Sequence, residues 1–167
     1  MKEEKKKDRG LLLAAGICVI VCLAVLGVLL LGDPILGQWE RGRAISVLSA
    51  QEDTRVVLAD PTTFGQELFS GAQVVLEEPE GERIREALKT FLKESRFQRR
   101  EAEVTGTWLP SVTVYTREEM TRVFLGEDAL YLEKDGKRSV FEIPREQRAS
   151  YGEFYKDVLR MLEEVQA

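Results

Sequence analysis

The chain contains no histidine, and both of its cysteines, Cys18 and Cys22, lie inside a single apolar run. The absence of histidine excludes histidine general bases, Ser-His-Asp triads, and zinc or iron sites with histidine ligands. Because the rest of the chain lacks cysteine, it cannot form a disulfide, a thiol nucleophile or a thiolate metal site there. Several common routes to catalysis are therefore closed to this sequence.

Motifs that bind phosphate groups or metal ions are also absent. Neither G-x-x-x-x-G-K nor G-x-G-x-x-G occurs, and no S-x-x-K motif offers a serine nucleophile. The acidic run at residues 77–82 lacks the loop pattern of an EF-hand and is better explained as the solvated N-terminus of a helix. We predict a protein that is not an enzyme and that uses no metal and no cofactor.

The longest uncharged stretch, Leu11–Leu31, has no side chain more polar than cysteine. At 1.5 Å rise per residue a helix of this length spans about 31 Å, which matches a hydrocarbon core of roughly 30 Å. A helix satisfies its own backbone hydrogen bonds where no water is available. The stretch therefore predicts a transmembrane helix over residues 11–31.

The charges on either side of this stretch predict its orientation. Five basic residues lie in the tail, residues 1–10, whereas only Arg41 and Arg43 follow the span closely. The positive-inside rule places the tail in the cytoplasm and the rest of the chain outside the cell membrane. A cleaved signal peptide is the alternative, but the apolar run exceeds the usual length and no clear small-x-small site follows it. We expect an uncleaved signal-anchor.

The remainder of the chain is long enough for one domain. Residues 32–43 contain Gly32 and Pro34 and are predicted to form a juxtamembrane linker, which leaves an extracytoplasmic domain at residues 44–167. Residues 32–167 hold 19 basic and 26 acidic side chains, a net charge of −7. This balance argues against nucleic-acid binding, which depends on neutralising phosphates. The lipid bilayer is therefore the first predicted partner.

Small side chains line one side of the predicted span. Ala14, Cys18 and Cys22 are spaced four residues apart and therefore share a helix face. Such faces let two membrane helices approach closely, which predicts a weak homodimer. The alternative is that these residues are simply small apolar side chains that need no partner.

The first half of the domain is predicted to start with a β-hairpin. The runs Ala44–Ser49 and Arg55–Ala59 are rich in valine, isoleucine and leucine and flank a polar turn. Asp60-Pro61 has the pattern of a helix start. Pro79–Ser95 predicts an amphipathic helix because apolar residues recur at helical spacing. Gln98–Trp108 reads as a polar loop.

The second half is predicted to be an antiparallel meander followed by a helix. Connections too short for parallel strands separate four apolar runs, at Ser111–Thr116, Met120–Leu125, Ala129–Glu133 and Arg138–Ile143. Ser150–Glu153 has the form of a capping box and precedes an apolar stripe. The predicted fold is α+β: one transmembrane helix, then an antiparallel sheet of a hairpin and a four-stranded meander, with two long amphipathic helices packed mainly on one face.

A basic island is the first candidate partner-binding site. Arg96, Arg99 and Arg100 surround Phe97 just beyond the first amphipathic helix. In an acidic domain they could bind an anionic envelope component or lipid headgroups. The alternative is a helix end with favourable cations that leads into a solvated loop.

The second candidate is the pair Trp108 and Leu109, followed by a proline. Tryptophan is enriched in binding hot spots, so the pair could be an exposed anchor for another protein. It could equally close the core below the sheet.

The layout resembles that of uncharacterised single-pass, membrane-anchored extracytoplasmic proteins of Gram-positive bacteria. The similarity rests on one N-terminal span, a hairpin at residues 44–59, a helix that opens with Asp60, and strands at Ser111–Tyr115 and Met120–Leu125. It implies an envelope location and carries no assigned activity and no functional residues.

Taken together, these features predict a single-pass membrane protein that displays a small non-enzymatic binding or scaffolding domain outside the cytoplasmic membrane. Its partner would be another envelope protein or an anionic envelope component. The alternative is a membrane-tethered hydrolase that acts on envelope polymer through carboxylates, which would need a concave site and a carboxyl group of raised pKa.

Overall fold

A computed structural model describes residues 2–50, 53–63, 73–102, 108–134 and 136–166 of the chain. The chain divides into two compact units, Met1–Leu36 and Gly37–Ala167. The long helix α1, Lys2–Leu48, contributes residues to both units.

In the first unit, α1 exposes an apolar surface. The consecutive residues Val19, Ile20 and Val21 are each more than half exposed although they point in different directions around the helix axis. Among the described residues, no single helix passes the length and composition test for a membrane span, and the stretches Gly16–Gly27 and Leu31–Leu48 pass it only as a bent pair. The transmembrane helix at residues 11–31 therefore stays a prediction.

The helix does not end where the sequence predicts. Residues 32–43, expected to be a linker, are helical, and Pro34 lies inside α1. Proline removes one backbone hydrogen bond from a helix but does not by itself stop one. The expectation that Gly32 and Pro34 end the helix is therefore wrong.

The first predicted strand, Ala44–Ser49, is also wrong, because α1 runs on to Leu48. Ala44, Val47 and Leu48 stand at i, i+3 and i+4, and all three are buried in the core. This packing outweighs the strand preference of the local β-branched residues.

One seven-stranded antiparallel sheet forms the centre of the second unit. Its strands are, in chain order, β1 Arg55–Thr63, β2 Gln73–Leu76, β3 Arg96–Ala102, β4 Trp108–Tyr115, β5 Met120–Leu125, β6 Ala129–Lys134 and β7 Lys137–Glu142. Across the sheet they follow the order β2-β1-β4-β5-β6-β7-β3. The α+β class and the four-stranded meander, β4 to β7, are confirmed, whereas the number of strands and the N-terminal hairpin differ from the prediction.

Helices cover one face of this sheet. The helices α2, Glu80–Glu94, and α3, Arg148–Gln166, share a core with the last turns of α1 and with alternate residues of the strands. Val112 and Val114 of β4 and Phe141 of β7 belong to this core, as do Leu88 of α2 and Val158 of α3. Because strand side chains alternate, their neighbours in sequence face the other side.

Strand β3 was missed by the sequence reasoning, which reads a polar loop from Gln98 onward. The strand pairs with β7 at the edge of the sheet, and its register shifts between Phe97 and Arg99. This bulge breaks the two-residue alternation from which a strand is recognised. Its charged sequence suits an edge strand, since charges and bulges discourage pairing with other chains.

Two predicted helix starts are wrong. Asp60-Pro61 lies within β1, at an irregularity between Ala59 and Thr62, where a strand tolerates proline. The C-terminal helix begins at Arg148, after a single 3-10 turn at Arg145–Gln147, so Ser150 lies inside α3 and is not its cap.

Tyr151 joins α3 to the turn between β5 and β6. Its side chain is fully buried, and its hydroxyl donates to the backbone carbonyl of Gly126 at 2.8 Å. Its ring meets that of Phe91 edge to face, with centroids 5.2 Å apart. Burial strongly raises the pKa of the Tyr151 hydroxyl, so this group remains a donor throughout the accessible pH range.

We predict that Tyr151→Phe lowers the free energy of unfolding by about 1–2 kcal/mol, because a buried carbonyl loses its donor while the packing stays the same. Urea denaturation of the full chain measures the change. Tyr155→Phe is the matched control: this residue lies four positions, or about one turn, further along the same helix and is partly exposed, so the substitution should change stability by less than about 0.5 kcal/mol. Equal effects of the two variants would contradict the assigned role.

Candidate functional site

Strands β5 and β6 diverge at one end of the sheet. Their pairing runs from Leu125↔Leu130 to Val123↔Leu132 and then stops. Both strands continue beyond this point, because β5 stays paired with β4 as far as Met120 and β6 stays paired with β7 as far as Lys134. The two strand ends therefore border a gap in the sheet.

A cleft of about 430 Å³ lies at this gap. One wall is the last part of α1, with Glu40, Arg43, Ala44 and Val47. The other is formed by β5 and β6, which contribute Met120, Thr121, Arg122, Phe124, Leu132, Glu133 and Lys134. This volume falls within the range of small-molecule sites.

Trp39 stands beside the mouth of the cleft. It is 52% exposed, which is high for a tryptophan in a folded domain. The Nζ atom of Lys134 lies 4.0 Å from the centre of its ring, and the Arg43 guanidinium lies 5.8 Å from it. These contacts are cation–π interactions, and they bring the cations from the two walls to the same indole.

The cations of the cleft differ in whether they are paired. Arg43 makes two hydrogen bonds to the Glu119 carboxylate, at 3.0 and 3.3 Å. Within the described residues, Arg122 and Lys134 have no ion-pair partner, and their contacts are with the rings of Phe124 and Trp39. The Nε atom of Arg122 is buried without a hydrogen-bond acceptor. These two cations are therefore held by aromatic rings, and the cleft also contains the carboxylate of Glu133.

A buried ionic contact lies behind the cleft. The Glu40 carboxylate accepts a hydrogen bond from Arg100 Nη2 at 2.6 Å and a second from the Ser139 hydroxyl. The side chains of Glu40 and Arg100 are only 5% and 7% exposed. This contact fixes α1 to β3 and β7 and neutralises the Glu40 carboxylate.

Two further contacts hold the same part of α1. Gly37 lies so close to the Phe97 ring that a Cβ atom at this position would overlap it. Arg41 donates from Nη1 to the Ser95 carbonyl at the end of α2, at 3.0 Å. The helix wall of the cleft is therefore anchored at several points.

The predicted basic island is divided by the alternation of β3. Arg96 is exposed, and Phe97 packs against Phe141 with ring centroids 5.7 Å apart. Arg99 is exposed and pairs with Glu101 at 2.8 Å, whereas Arg100 turns inward to Glu40. These residues do not form one surface, and two of the three arginines already have carboxylate partners.

The other predicted sites are spread over the chain. The Trp108 backbone begins β4, opposite Thr63, while its side chain lies outside the described part of the chain; Leu109 is half-buried. Cys18 and Cys22 are exposed on α1, and the Ala14 side chain also lies outside the described part. Leu109 is not among the described residues that line the cleft.

The Glu101 carboxylate makes salt bridges with Arg99 and Arg138. These are ion pairs, not the pairs of carboxyl groups that acid–base catalysis uses. Burial acts to raise the pKa of Glu101, but the hydrogen bond and charge of Arg138, together with Arg99, outweigh it and hold the pKa below its usual value. In the described ranges, no group of three or more acidic or cysteine side chains is arranged to hold a metal ion.

Comparison with known proteins finds no family model, no curated protein and no solved structure that this chain matches. The resemblance in layout to single-pass envelope proteins therefore stays a prediction.

We predict that removing either partner of the buried Glu40–Arg100 pair strongly lowers the free energy of unfolding. Glu40→Leu or Arg100→Met should each lower the free energy of unfolding by about 3–5 kcal/mol, because each leaves an uncompensated buried charge, and the double variant should lose far less than the sum. Urea denaturation of the full chain measures the cycle. The exposed pair of Arg43, on the same helix, with Glu119, just before β5, is the control and should contribute less than about 1 kcal/mol. Additive losses at Glu40 and Arg100 would show that they are not coupled.

We predict that Glu101 contributes stability that is lost in acid. Because its folded-state pKa is lowered, the contribution is complete above the ordinary glutamate pKa of about 4.3 and declines as pH falls through the lower folded value. Glu101→Gln should cost roughly 0.5–1 kcal/mol at pH 7, and the difference from the parent chain should shrink below about pH 4. Denaturation curves at several pH values test this, with Glu163→Gln, an exposed position on α3, as the control. A difference that is constant with pH would contradict the assignment.

Proposed function

We propose that the chain is a single-pass membrane protein that displays the unit Gly37–Ala167 outside the cytoplasmic membrane as a binding or scaffolding domain. The observation that carries the proposal is the apolar surface of α1 in the first unit, where successive side chains from Ile17 to Leu26 are exposed on all sides of the helix. Soluble proteins rarely expose an apolar surface of this extent. A bilayer would cover it without requiring a protein partner.

The distribution of basic residues supports the orientation. Five of them precede the apolar run and two follow it within fifteen residues. Because basic residues are retained on the cytoplasmic side, this bias favours a short internal tail and an external domain.

The cleft supports a binding role over catalysis. Of its two carboxylates, Glu40 and Glu133, the first is held by Arg100 and Ser139, and its cations Arg122 and Lys134 contact aromatic rings. A carboxylate-based hydrolase would need a carboxyl group of raised pKa. The pKa of Glu101, which does not line the cleft, is lowered by Arg138 and Arg99. We therefore favour the binding domain over the hydrolase.

The test is protease accessibility in intact protoplasts, with the mass of the mature chain read in parallel. We expect external protease to digest the domain while residues 1–31 are retained in the chain. Protection from the protease would place the domain in the cytoplasm and overturn the proposed orientation. A mature chain that lacks residues 1–31 would overturn the anchor.

A pair of variants tests the anchor independently of orientation. Val21→Lys places a charge in the apolar run at a cost of about 2.5–3.5 kcal/mol of insertion free energy, so more chain should be released from membranes by alkaline washing. Val75→Lys is the matched control, since Val75 is similarly exposed, at 46%, but lies on β2. Release of both variants to the same extent would argue against membrane insertion through the run.

A further inference from the structure

The second unit exposes few large apolar side chains. Among its described residues they are Trp39, Val75 and Met120, which are 52%, 46% and 55% exposed. Two of the three stand at the same cleft, because Met120 is part of its lining and Trp39 contacts Lys134 and Arg43 from its two walls. Exposed apolar side chains that gather at one place mark a surface for a partner or a membrane, whereas scattered ones need no explanation.

The fold holds Trp39 in its exposed position. This residue lies on α1 between Gly37, which packs against the Phe97 ring, and Glu40, whose carboxylate is buried with Arg100. Because these neighbours face inward, Trp39 points away from the domain. Its exposure therefore follows from the anchored position of the helix and not from a loose segment of chain.

Cations flank the indole of Trp39. The Lys134 Nζ atom lies 4.0 Å from the centre of the ring, and the Arg43 guanidinium lies 5.8 Å from it. Arg43 also pairs with the Glu119 carboxylate, so Lys134 supplies most of the positive charge at this place. Glu133 lines the cleft as well, but it is next to Lys134 on β6 and therefore points to the opposite face of the sheet. Indole rings and lysine side chains are both suited to the headgroup region of a bilayer, where the phosphate groups of lipids lie.

We propose that Trp39 and Met120, with Lys134 and Arg43 beside them, form a membrane-contacting surface that lies in the headgroup region of the bilayer and thereby orients the domain. The proposal rests on the membrane location proposed above. Trp39 lies eight residues beyond Leu31, the end of the apolar run, and a chain of that length spans at most about 28 Å even when fully extended. A bilayer around the run is therefore within reach of this surface without any second protein, which favours the bilayer over a protein partner.

Quenching of tryptophan emission by lipids tests the proposal. The full chain carrying Trp108→Phe has Trp39 as its single tryptophan. It is reconstituted into phosphatidylcholine bilayers that contain lipids brominated near the headgroup end of the acyl chains. We expect these lipids to remove at least about twofold more of the emission of Trp39 than of a tryptophan placed elsewhere on the domain. Iodide added to the water should show the opposite preference.

Two further chains, both carrying Trp39→Phe and Trp108→Phe, provide the comparison. Met120→Trp places the reporter on the membrane-contacting surface, and we expect the lipids to quench it as strongly as Trp39. Val75→Trp is the matched control, since Val75 is similarly exposed but lies on β2, three strands away from β5 in the sheet. Where Trp108→Phe abolishes the cooperative urea transition, Trp108 is kept and each reporter is read as the difference in emission from Trp39→Phe.

Two outcomes would overturn the proposal. One is that brominated lipids quench Trp39 and Met120→Trp no more than Val75→Trp while iodide reaches them, which would leave the surface for a protein partner. The other is that Trp39 is quenched but Met120→Trp is not, which would mean that the helix alone meets the bilayer. Alkaline washing of the same bilayers reports insertion of the apolar run independently of Trp39. Failure of this surface in an inserted chain and failure of the membrane proposal can therefore be told apart.

Discussion

The buried contact of Glu40 with Arg100 and Ser139 is the constraint on which the second unit depends most directly. It joins α1 to β3 and β7, three elements that are far apart in the chain. Taking two charges out of water costs several kcal/mol per ion, and their attraction repays this only with good geometry and further hydrogen bonds. Ser139 supplies the further bond to Glu40. The pair therefore adds little net stability but penalises any position of α1 that leaves one charge unpaired.

The position of α1 in turn accounts for the walls of the cleft. The residues that face inward from this helix, Gly37, Glu40, Ala44 and Val47, follow one another at intervals of three or four and share one side of the helix. Gly37 admits the Phe97 ring, Glu40 meets the edge of the sheet, and Ala44 and Val47 reach the core. The end of α1 thus lies where β5 and β6 separate and closes one side of the gap. A helix held less firmly would leave the gap open to water from both faces.

Sequence reasoning predicted those elements whose pattern is local. The meander β4 to β7 and the helix α2 show clear periods of 2 and 3.6 residues, and the β6–β7 turn contains Gly136 at a positive φ of 69°. It failed where a distant partner decides the structure. The sequence of Ala44–Ser49 is typical of a strand, and only its core contacts show that it is helical. The sequence of β3 is typical of a loop because Arg100, which points inward, is charged. The sequence pattern did not indicate a role for Glu40, Arg122 or Lys134. Whether each of these charges has a partner depends on elements that are far apart in the chain, so only the folded structure shows it.

The cations at the edge of the sheet and those beside the cleft differ in their partners. Three arginines and a glutamate of β3 and β7 lie close together, yet Arg99, Arg100 and Arg138 all have carboxylate partners, and their arrangement is explained by the edge of the sheet. Among the residues that the structure describes, Arg122 and Lys134 have no ion-pair partner and contact the rings of Phe124 and Trp39. Removing either cation would cost the fold no ion pair. The cations beside the cleft therefore contact aromatic rings, whereas those at the edge of the sheet are held by carboxylates.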